Sequence, residues 1–280
     1  MSSSSLQDIV CVLGHPVVGD PTQFMMERAF QQAGLDWRFL TCDVAPEQLG
    51  DALRGIAALG FRGCQLAMPH GQAAVRELPK LTAVAELCGA VNVATRDDGH
   101  LIGDNMLGRG FLAGLRDLTD PQSKRVTLFG AGAAAAALAS ELILVGIAQL
   151  TIVNRTLERA ERLAEQLRKQ TSIEIVTTAW VGDYAITADT DLVVHATSLN
   201  HFDLDARLAV KWPSVSQLVV ADISYNPVEP RWMLEVKERG FVRLGGLTTF
   251  VNQAALVYQL WTGEPADRDL LRDAAEEFFG

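Results

Sequence analysis

The sequence predicts an α/β fold with two domains, one of them of the Rossmann type. The chain has 280 residues, which exceeds the usual size of a single domain. Segments typical of strands and helices alternate through both halves, which favours mainly parallel sheets covered by helices. A strand, a glycine turn, a helix and a second strand follow one another within residues 126–160. We therefore expect one domain over 1–106, completed by C-terminal helices within 247–280, and a dinucleotide-binding domain over 107–246.

The composition is that of a well-packed globular protein with an acidic charge balance. Hydrophobic residues make up 49% of the chain, and the formal net charge is −10. This balance argues against nucleic acid or an anionic membrane as the main partner, so any bound anion must be captured by local groups. The N-terminal MSSSSLQD lacks the basic and apolar regions of a secretion signal.

Cysteine usage points to a reducing compartment. The cysteines form neither a CxxC pair nor the Cys/His spacing of metal sites, and they lie in apolar stretches. We therefore expect reduced core thiols, no metal and a cytoplasmic location. The four residues are Cys11, Cys42, Cys64 and Cys88.

The N-terminal half is predicted to alternate strands with helices. Its strands are expected at 9–13, 37–42 and 63–68, and its helices at 22–34, 46–59 and, as one or two helices, 71–88. The first helix should bury Phe24, Met25, Ala29 and Phe30. Residues 91–102 contain Asp98-Gly99 and predict a hairpin, followed by a helix from Gly103 to Arg116. Later strands are expected at 173–177, 192–195, 218–221 and 242–244, and later helices at 249–261 and 267–279.

A glycine turn follows the apolar run Val126–Phe129. Residues 130–135 read GAGAAA and fit the GxGxxA pattern between a strand and an alanine-rich helix. Gly130 permits a tight turn, and Gly132 lets backbone N–H groups approach a pyrophosphate at the helix N-terminus. The pattern is weak alone, but the second apolar strand at 150–153 gives it the expected context.

A basic cluster stands where NAD-binding proteins place an acidic residue. The second strand ends in Asn154-Arg155-Thr156, followed by Arg159. Guanidinium groups match a phosphate, whereas a carboxylate would repel it, so the cluster favours NADP over NAD, with NAD as a further option. The alternative is that both arginines only begin a solvated helix, a position that the helix dipole disfavours. The predicted cofactor-binding residues are Gly130, Ala131, Gly132, Ala133, Ala134, Asn154, Arg155, Thr156, Arg159, His195, Ala196, Thr197 and Gly246.

Residues 14–23 read GHPVVGDPTQ, residues 89–92 read GAVN, and residues 103–111 read GDNMLGRGF. With these segments the whole chain resembles the shikimate dehydrogenase family, whose opening motif, GAVN segment and GxNTDGxGF segment align with them in that order. Its GAG and NRTxxRA motifs match 130–132 and 154–160. Later markers are matched by Asp222, Tyr225, Asn226, Pro227, Gly246, Leu247 and Gln253. The resemblance implies a substrate domain joined to an NADP domain, and a dehydrogenase activity.

The sequence departs from the family where proton transfer is expected. The resemblance implies a lysine and an aspartate that together handle the proton of the alcohol during hydride transfer. Gly71 stands at the lysine position and Leu107 at the aspartate position. A positioned acid or base typically contributes 10²- to 10⁴-fold to a rate. We therefore expect shikimate oxidation to be very slow or absent.

The end of the pocket that holds a carboxylate in the family has also changed. Family members carry two serines in an HSxSP motif, whereas this chain has Asp20 in GDPTQ. An ionised Asp20 would repel a substrate carboxylate, so an amine, a hydroxyl or an uncharged group suits that end better. The alternative is that Asp20 caps the helix that begins near Thr22, and both interpretations can hold together.

A polar substrate pocket is nevertheless predicted. Asn92 and Gln253 match family residues that bind substrate hydroxyl groups, while Gln65 is longer than the usual asparagine and Ala67 lacks the usual hydroxyl. Tyr225 either lines this pocket or is a core tyrosine with a satisfied hydroxyl. The candidate substrate-binding residues are Asp20, Thr22, Gln65, Asn92, Asn105, Tyr225 and Gln253.

No convincing replacement for the missing base is evident in the sequence. His70 is the best candidate because it follows a predicted strand at the sheet edge where ligands of α/β folds bind. Because relatives also carry His or an aromatic residue there, His70 fits a pocket wall better than a base. Asp104 and Asp20 are weaker candidates, and His195 is expected near the nicotinamide or its ribose. The remaining histidines, His15, His100 and His201, are expected on the surface or in turns.

Two hypotheses of function remain from the sequence. The first is an NAD(P)-dependent oxidoreductase acting on a small hydroxylated ring or a related alcohol or ketone, with weak or no activity on shikimate. The second is a catalytically inactive sensor of NADP and a small ligand. In both, the partner is a small molecule, and neither nucleic acid nor membrane is expected. The oligomeric state is not readable from the sequence, and a homodimer is one option.

Overall fold

The computed structural model describes residues 6–169, 171–199, 207–215 and 217–280. The chain forms two compact units. The N-terminal unit comprises the described residues up to Met106 together with Gln253–Phe278, and the central unit comprises Leu107–Asn252. The sequence placed the second boundary at 246, whereas the structure has it six residues later, within a continuous helix. His201, expected on the surface, lies outside the described residues.

The N-terminal unit contains a mixed six-stranded sheet. Its strands are β1 (Asp8–Gly14), β2 (Trp37–Asp43), β3 (Gly63–Leu66), β4 (Lys80–Leu81), β5 (Val93–Asp97) and β6 (His100–Asp104), in the order β2-β1-β3-β5-β6-β4. The pairs β1–β2, β1–β3 and β4–β6 are parallel, and β3–β5 and β5–β6 are antiparallel. Its first helices are α1 (Thr22–Gln32), α2 (Leu49–Leu59), α3 (Ala74–Glu77) and α4 (Ala83–Cys88), with a 3₁₀ turn at Pro46–Gln48 before α2.

The predicted hairpin is confirmed. Strands β5 and β6 pair antiparallel, with Asp97 opposite His100. Asp98 has a φ of 45° and Gly99 a φ of 82°, so both turn residues adopt the positive φ that a two-residue type I′ turn requires.

Other local predictions are corrected by the structure. The stretch predicted as helical over 71–88 is interrupted by β4, because Pro79 cannot continue a helix and Leu78 before it is extended. The helix expected from Gly103 begins only at Leu107, because residues up to 104 belong to β6. Phe24 is half-buried rather than buried, and its ring lies 4.4 Å from the Arg28 guanidinium carbon.

The central unit has the topology of a dinucleotide-binding fold. Its main sheet consists of β7 (Arg125–Phe129), β8 (Gln149–Asn154), β9 (Glu174–Ala179), β11 (Leu192–His195), β13 (Val219–Asp222) and β14 (Val242–Leu244). The order is β14-β13-β11-β7-β8-β9, and every neighbouring pair is parallel. Counted along this unit, the order is 3-2-1-4-5-6, and the strand order reverses between β7 and β11. The predicted two-domain α/β fold with a Rossmann-type domain is confirmed.

Helices complete both units. They are α5 (Leu107–Arg116), α6 (Ala133–Leu144), α7 (Leu157–Arg168), α8 (Arg231–Glu238), α9 (Gly246–Thr262) and α10 (Arg268–Phe279). Helix α8 and a two-stranded sheet of β10 (Tyr184–Ala185) and β12 (Val210–Lys211) were not predicted from the sequence. Within the described part of the chain, no helix is long and apolar enough to cross a membrane.

The cysteines are free thiols of different exposure. Cys11, Cys64 and Cys88 are buried, whereas Cys42 is only partly buried. Burial raises the pKa of Cys64 to about 12 and that of Cys88 to about 11. A hydrogen bond from the Cys11 thiol lowers the pKa of Cys42 to about 7.

Candidate functional site

A glycine turn joins β7 to α6 at the point where the strand order reverses. An ideal Cβ at Gly130 would lie 2.3 Å from the Ala196 carbonyl oxygen, and Gly130 has a φ of 119°, so only glycine fits. The loop after β11 therefore packs directly on the glycine turn. No heavy atom lies within 4 Å of an ideal Cβ at Gly132, the N-cap of α6, which forms no side-chain cap bond. Gly132 is exposed, and the first N–H groups of α6, from Ala133 and Ala134, have no partner within the helix, as at any helix N-terminus, so this end suits a phosphate.

Two arginines lie at the start of α7. Arg155 and Arg159 are exposed, and neither forms an ion pair with a residue in the described ranges. The Asn154 side chain is used locally, because its Nδ2 donates to the Thr156 carbonyl oxygen at 2.8 Å. Thr156 is the N-cap of α7 and forms no side-chain cap bond. Both guanidinium groups are therefore available to an anionic ligand.

A cavity of about 270 Å³ lies beside Arg155 in the central unit. We call it the arginine cavity. The Trp180 ring is held by Nε1 donating to the Ala209 carbonyl oxygen at 2.9 Å. Arg207 pairs with Asp183 at 2.6 Å. The lining residues are Arg155, Trp180, Gly182, Thr197, Leu199, Arg207 and Ala209. No sequence signal marked Trp180 or Arg207, since neither belongs to a motif.

His195 does not reach the surface of the central unit. Its side chain is fully buried, with Nδ1 3.0 Å from Asp222 Oδ1 and Nε2 2.6 Å from Thr197 Oγ1. Any effect of His195 on a ligand must therefore act through Thr197. Gly246 begins α9, and an ideal Cβ there would lie 2.1 Å from the Ser224 carbonyl oxygen, so this glycine is required by a close backbone approach.

In the N-terminal unit, two predicted amides are brought together. Asn92 Nδ2 donates to Gln253 Oε1 at 3.2 Å, and the Met106 N–H donates to Asn92 Oδ1 at 2.8 Å. Gln65 lies on β3 opposite Val93, the residue after Asn92. The side chain of Gln65 is 5% exposed, and its Oε1 has no hydrogen-bond partner. A buried carbonyl oxygen without a partner favours a bound donor, such as a hydroxyl group.

Asn105 and Asp104 are held by neighbouring groups instead. Asn105 Nδ2 donates to the Ala90 carbonyl oxygen at 3.0 Å. Asp104 Oδ1 accepts from Thr82 Oγ1 at 2.5 Å and from the Asn105 N–H at 2.7 Å. These bonds give both residues a structural role at the end of β6.

His70 and Gly71 follow β3 in a tight turn. His70 is 1% exposed and its Nε2 lies 2.9 Å from the Val44 carbonyl oxygen, so Nε2 carries the hydrogen. Its Nδ1 is buried and has no hydrogen-bond partner. An ideal Cβ at Gly71 would lie 3.1 Å from the Val91 carbonyl oxygen, which is close but tolerable after a small shift. The geometry is that of a buried wall residue.

Asp20 lies at the start of α1. Its Oδ1 accepts a hydrogen bond from the Thr22 N–H at 2.9 Å, which is the local role expected of a residue that caps a helix, and Thr22 itself is buried. Asp20 also lines a cavity of about 900 Å³ between α1 and β2. None of Gln65, Asn92 and Gln253 lines that cavity, so its size does not make it the substrate pocket.

Tyr225 is packed against another aromatic ring of the central unit. Its ring stacks on Phe250 with 4.2 Å between centroids and 19° between planes. This arrangement accords with the interpretation of Tyr225 as a packed tyrosine. Among the described residues, no group of three or more His, Cys, Asp or Glu side chains is placed to hold a metal ion.

Models of three protein domains match the chain in order. The shikimate dehydrogenase substrate binding domain matches residues 12–94, the shikimate/quinate 5-dehydrogenase domain matches 113–234, and the shikimate 5′-dehydrogenase C-terminal domain matches 246–276. The chain belongs to the shikimate dehydrogenase family. The family predicted from the motifs is therefore confirmed.

Similar proteins and solved structures cover almost the whole chain. The shikimate dehydrogenase (NADP⁺) of Methanopyrus kandleri is 36% identical over 276 residues, covering 96% of this chain and 95% of that protein. The ligand-free 5-ketofructose reductase of Gluconobacter sp. strain CHM43 has a TM-score of 0.94 at 35% identity, covering 99% of this chain and 100% of that one. The shikimate 5-dehydrogenase of Thermus thermophilus, in complex with NADP(H) and shikimate, has a TM-score of 0.83 at 28% identity, covering 97% and 100%. One fold thus serves relatives named for different substrates, so the substrate must be argued from the site.

Proposed function

We propose that the protein is an NADP-dependent oxidoreductase that interconverts a small, neutral, polyhydroxylated ketone and its alcohol, with weak or no activity on shikimate. The cofactor assignment is supported by the names of relatives in the family, which include NADP-dependent shikimate dehydrogenases. The substrate class is supported by the polar groups of the N-terminal unit and by the likeness to a 5-ketofructose reductase.

The central unit fits NADP. The open N-terminus of α6, from Gly132 to Ala134, offers backbone N–H groups to the pyrophosphate. Arg155 and Arg159 are exposed cations without partners in the described ranges, and they suit the 2′-phosphate. When bound, NADPH supplies the hydride.

The unpartnered carbonyl oxygen of Gln65 carries the substrate argument. This buried acceptor lies on β3, opposite Val93 at the start of β5. Asn92, the residue before Val93, is hydrogen-bonded to Gln253. A buried acceptor is satisfied by a hydroxyl donor and not by a carboxylate, which only accepts. A substrate with several hydroxyl groups therefore satisfies this region, and a carboxylate placed there would leave the acceptor unpaired.

Asp20 adds a second argument against an acidic substrate. The family serines at this place are expected to hold the shikimate carboxylate, whereas Asp20 places a carboxylate two residues before α1. Like charges close together are unfavourable in a partly buried site. A neutral ketone or alcohol avoids this cost.

Proton transfer must proceed without the family pair. Gly71 and Leu107 provide no ionisable side chain, and the His70 ring is tied to the Val44 carbonyl oxygen through Nε2. His70 is therefore assigned to the pocket wall. Loss of a positioned acid and base costs on the order of 10²- to 10⁴-fold in rate for any ketone, so the proton of the alcohol must come from solvent water.

The test compares Asp20→Ser with Asp20→Asn and the unaltered protein. Serine restores the family residue and still accepts the Thr22 N–H, whereas asparagine removes the charge at nearly constant size. Both variants should bind shikimate more tightly than the unaltered protein does, and both should leave affinity for a neutral polyol ketone little changed. Equal shikimate affinity in the two variants and the unaltered protein would show that the charge of Asp20 does not weaken shikimate binding. Tight NADPH binding without turnover of any neutral ketone, cyclitol or aminocyclitol would instead favour an inactive sensor.

A further inference from the structure

A buried chain of three side chains leads to the wall of the arginine cavity. His195 and Asp222 are both 0% exposed and are joined by the 3.0 Å contact between Nδ1 and Oδ1. On the other side of the ring, Nε2 lies 2.6 Å from Thr197 Oγ1. Thr197 is half-buried and lines the cavity together with Arg155. We call Asp222, His195 and Thr197 the relay.

The hydrogen bonds of the relay have a defined direction. The Asp222 carboxylate only accepts, and it also accepts from the Ser224 N–H at 3.0 Å, so His195 Nδ1 carries a hydrogen. Nε2 is therefore the ring atom that meets the Thr197 hydroxyl, at 2.6 Å. The same hydroxyl oxygen accepts from the Leu199 N–H at 3.2 Å. Two cavity-lining residues, Thr197 and Leu199, are thus fixed by one buried imidazole.

The relay is anchored in the sheet. His195 ends β11 and Asp222 ends β13, and these two residues face each other in the parallel register. The ring of Trp232 contacts the His195 ring edge-on at 5.3 Å between centroids. The loop after β11 also touches the glycine turn, because the Ala196 carbonyl oxygen leaves no room for a Cβ on Gly130. The loop is therefore held between the glycine turn and the relay, so its position depends on both.

We propose that Asp222, His195 and Thr197 form a positioning relay that sets the affinity for the adenosine 2′-phosphate end of NADP. His195 acts only through Thr197, because its ring is fully buried and both ring nitrogens are occupied. This proposal rests on the proposed NADP dependence and adds to it the residues that control the shape of one subsite.

The experiment is a double-variant cycle on the full chain. Binding of adenosine 2′,5′-bisphosphate is measured by calorimetry for Thr197→Val, His195→Asn and the double variant. Thr197→Val removes the hydroxyl at constant size, and loss of its hydrogen bonds should weaken binding about tenfold. The double variant should bind about as weakly as either single variant, because both changes break the same chain. Thr197→Ser keeps the hydroxyl and should restore binding to within about twofold.

Kinetics supply a readout that general destabilisation would not produce. In each weakened variant the KM for NADPH should rise by the same factor as the bisphosphate dissociation constant, while kcat at saturating NADPH stays within about twofold. Thermal unfolding of each variant identifies any that fail to fold. If His195→Asn does not fold, the comparison of Thr197→Val with Thr197→Ser decides alone.

The possible outcomes distinguish failure of the relay from failure of the proposed NADP dependence. Unchanged affinity in Thr197→Val, or single-variant effects that multiply in the double variant, would overturn the relay while leaving NADP dependence intact. Failure of the unaltered protein to bind either the bisphosphate or NADPH would overturn the proposed function itself.

Discussion

Replacing Arg155 and Arg159, the two exposed arginines at the start of α7, should change cofactor choice more than cofactor binding in general. Arg155 and Arg159 have no ion-pair partners in the described ranges, and Arg155 lines the arginine cavity. A hydrogen bond to a charged group contributes about 1.5 to 3 kcal/mol, which corresponds to roughly 12- to 140-fold in affinity. Because both side chains are exposed, solvent screening places a single change near the lower end, at about tenfold. The double change to alanine should reach roughly 100-fold for NADPH.

The assay measures dissociation constants of NADPH and NADH for Arg155→Ala, Arg159→Ala and the double variant at one fixed ionic strength. NADH lacks the 2′-phosphate, so its affinity should change little. Arg162→Ala provides a matched control, since it removes the same charge from the same exposed helix beyond its first turn. Equal weakening of NADPH and NADH, or an Arg162→Ala effect as large as that of Arg155→Ala, would refute the assignment of these arginines to the 2′-phosphate.

Three further predictions concern single positions. Gly130→Ala should unfold at a lower urea concentration than Gly132→Ala, because its Cβ meets the Ala196 carbonyl and its φ is positive. Its free energy of unfolding should fall by at least about 1–2 kcal/mol. Equal urea midpoints would contradict the close approach. Gln65→Leu should leave the urea midpoint unchanged or raise it, since a buried unpaired oxygen is removed. The same change should raise the KM for the hydroxylated substrate. An unchanged KM would show that this oxygen does not contact the substrate. Alkylation of Cys42 by iodoacetamide should rise as pH increases through about 7, because the pKa of this thiol is lowered there and the thiolate forms above it. Cys11→Ala removes the hydrogen-bond donor and should move that midpoint upward, whereas a profile still centred near 7 would contradict the role of Cys11.

Local sequence rules predicted the parts of the fold that local chemistry determines. The Asp98-Gly99 turn set the hairpin, and the GAG turn between two apolar strands set the start of the Rossmann sheet. Strand β4 was missed because two residues that pair with β6 give no periodic signal, and their neighbours carry helix-forming residues. Here a tertiary pairing overrides local propensity.

The candidate site was predictable only where a motif marks it. Arg155 and the amides Asn92 and Gln253 could be named from family motifs, and the structure brings the two amides into contact. Trp180 and Arg207 belong to no motif and reach the arginine cavity only through the folded sheet. The burial of His195 could not be foreseen either, because its partner Asp222 lies on another strand, 27 positions away in the sequence.

According to the proposed function, this member of the shikimate dehydrogenase family should reduce a neutral polyhydroxylated ketone in preference to the ketone formed from shikimate. The most direct measurement is kcat/KM for NADPH-dependent reduction of 5-ketofructose and related neutral ketones, beside the ketone formed from shikimate, under one set of conditions. We expect kcat/KM for at least one neutral ketone to exceed that for the shikimate-derived ketone, because a substrate carboxylate near Asp20 is disfavoured. Equal or faster reduction of the shikimate-derived ketone would contradict the claim.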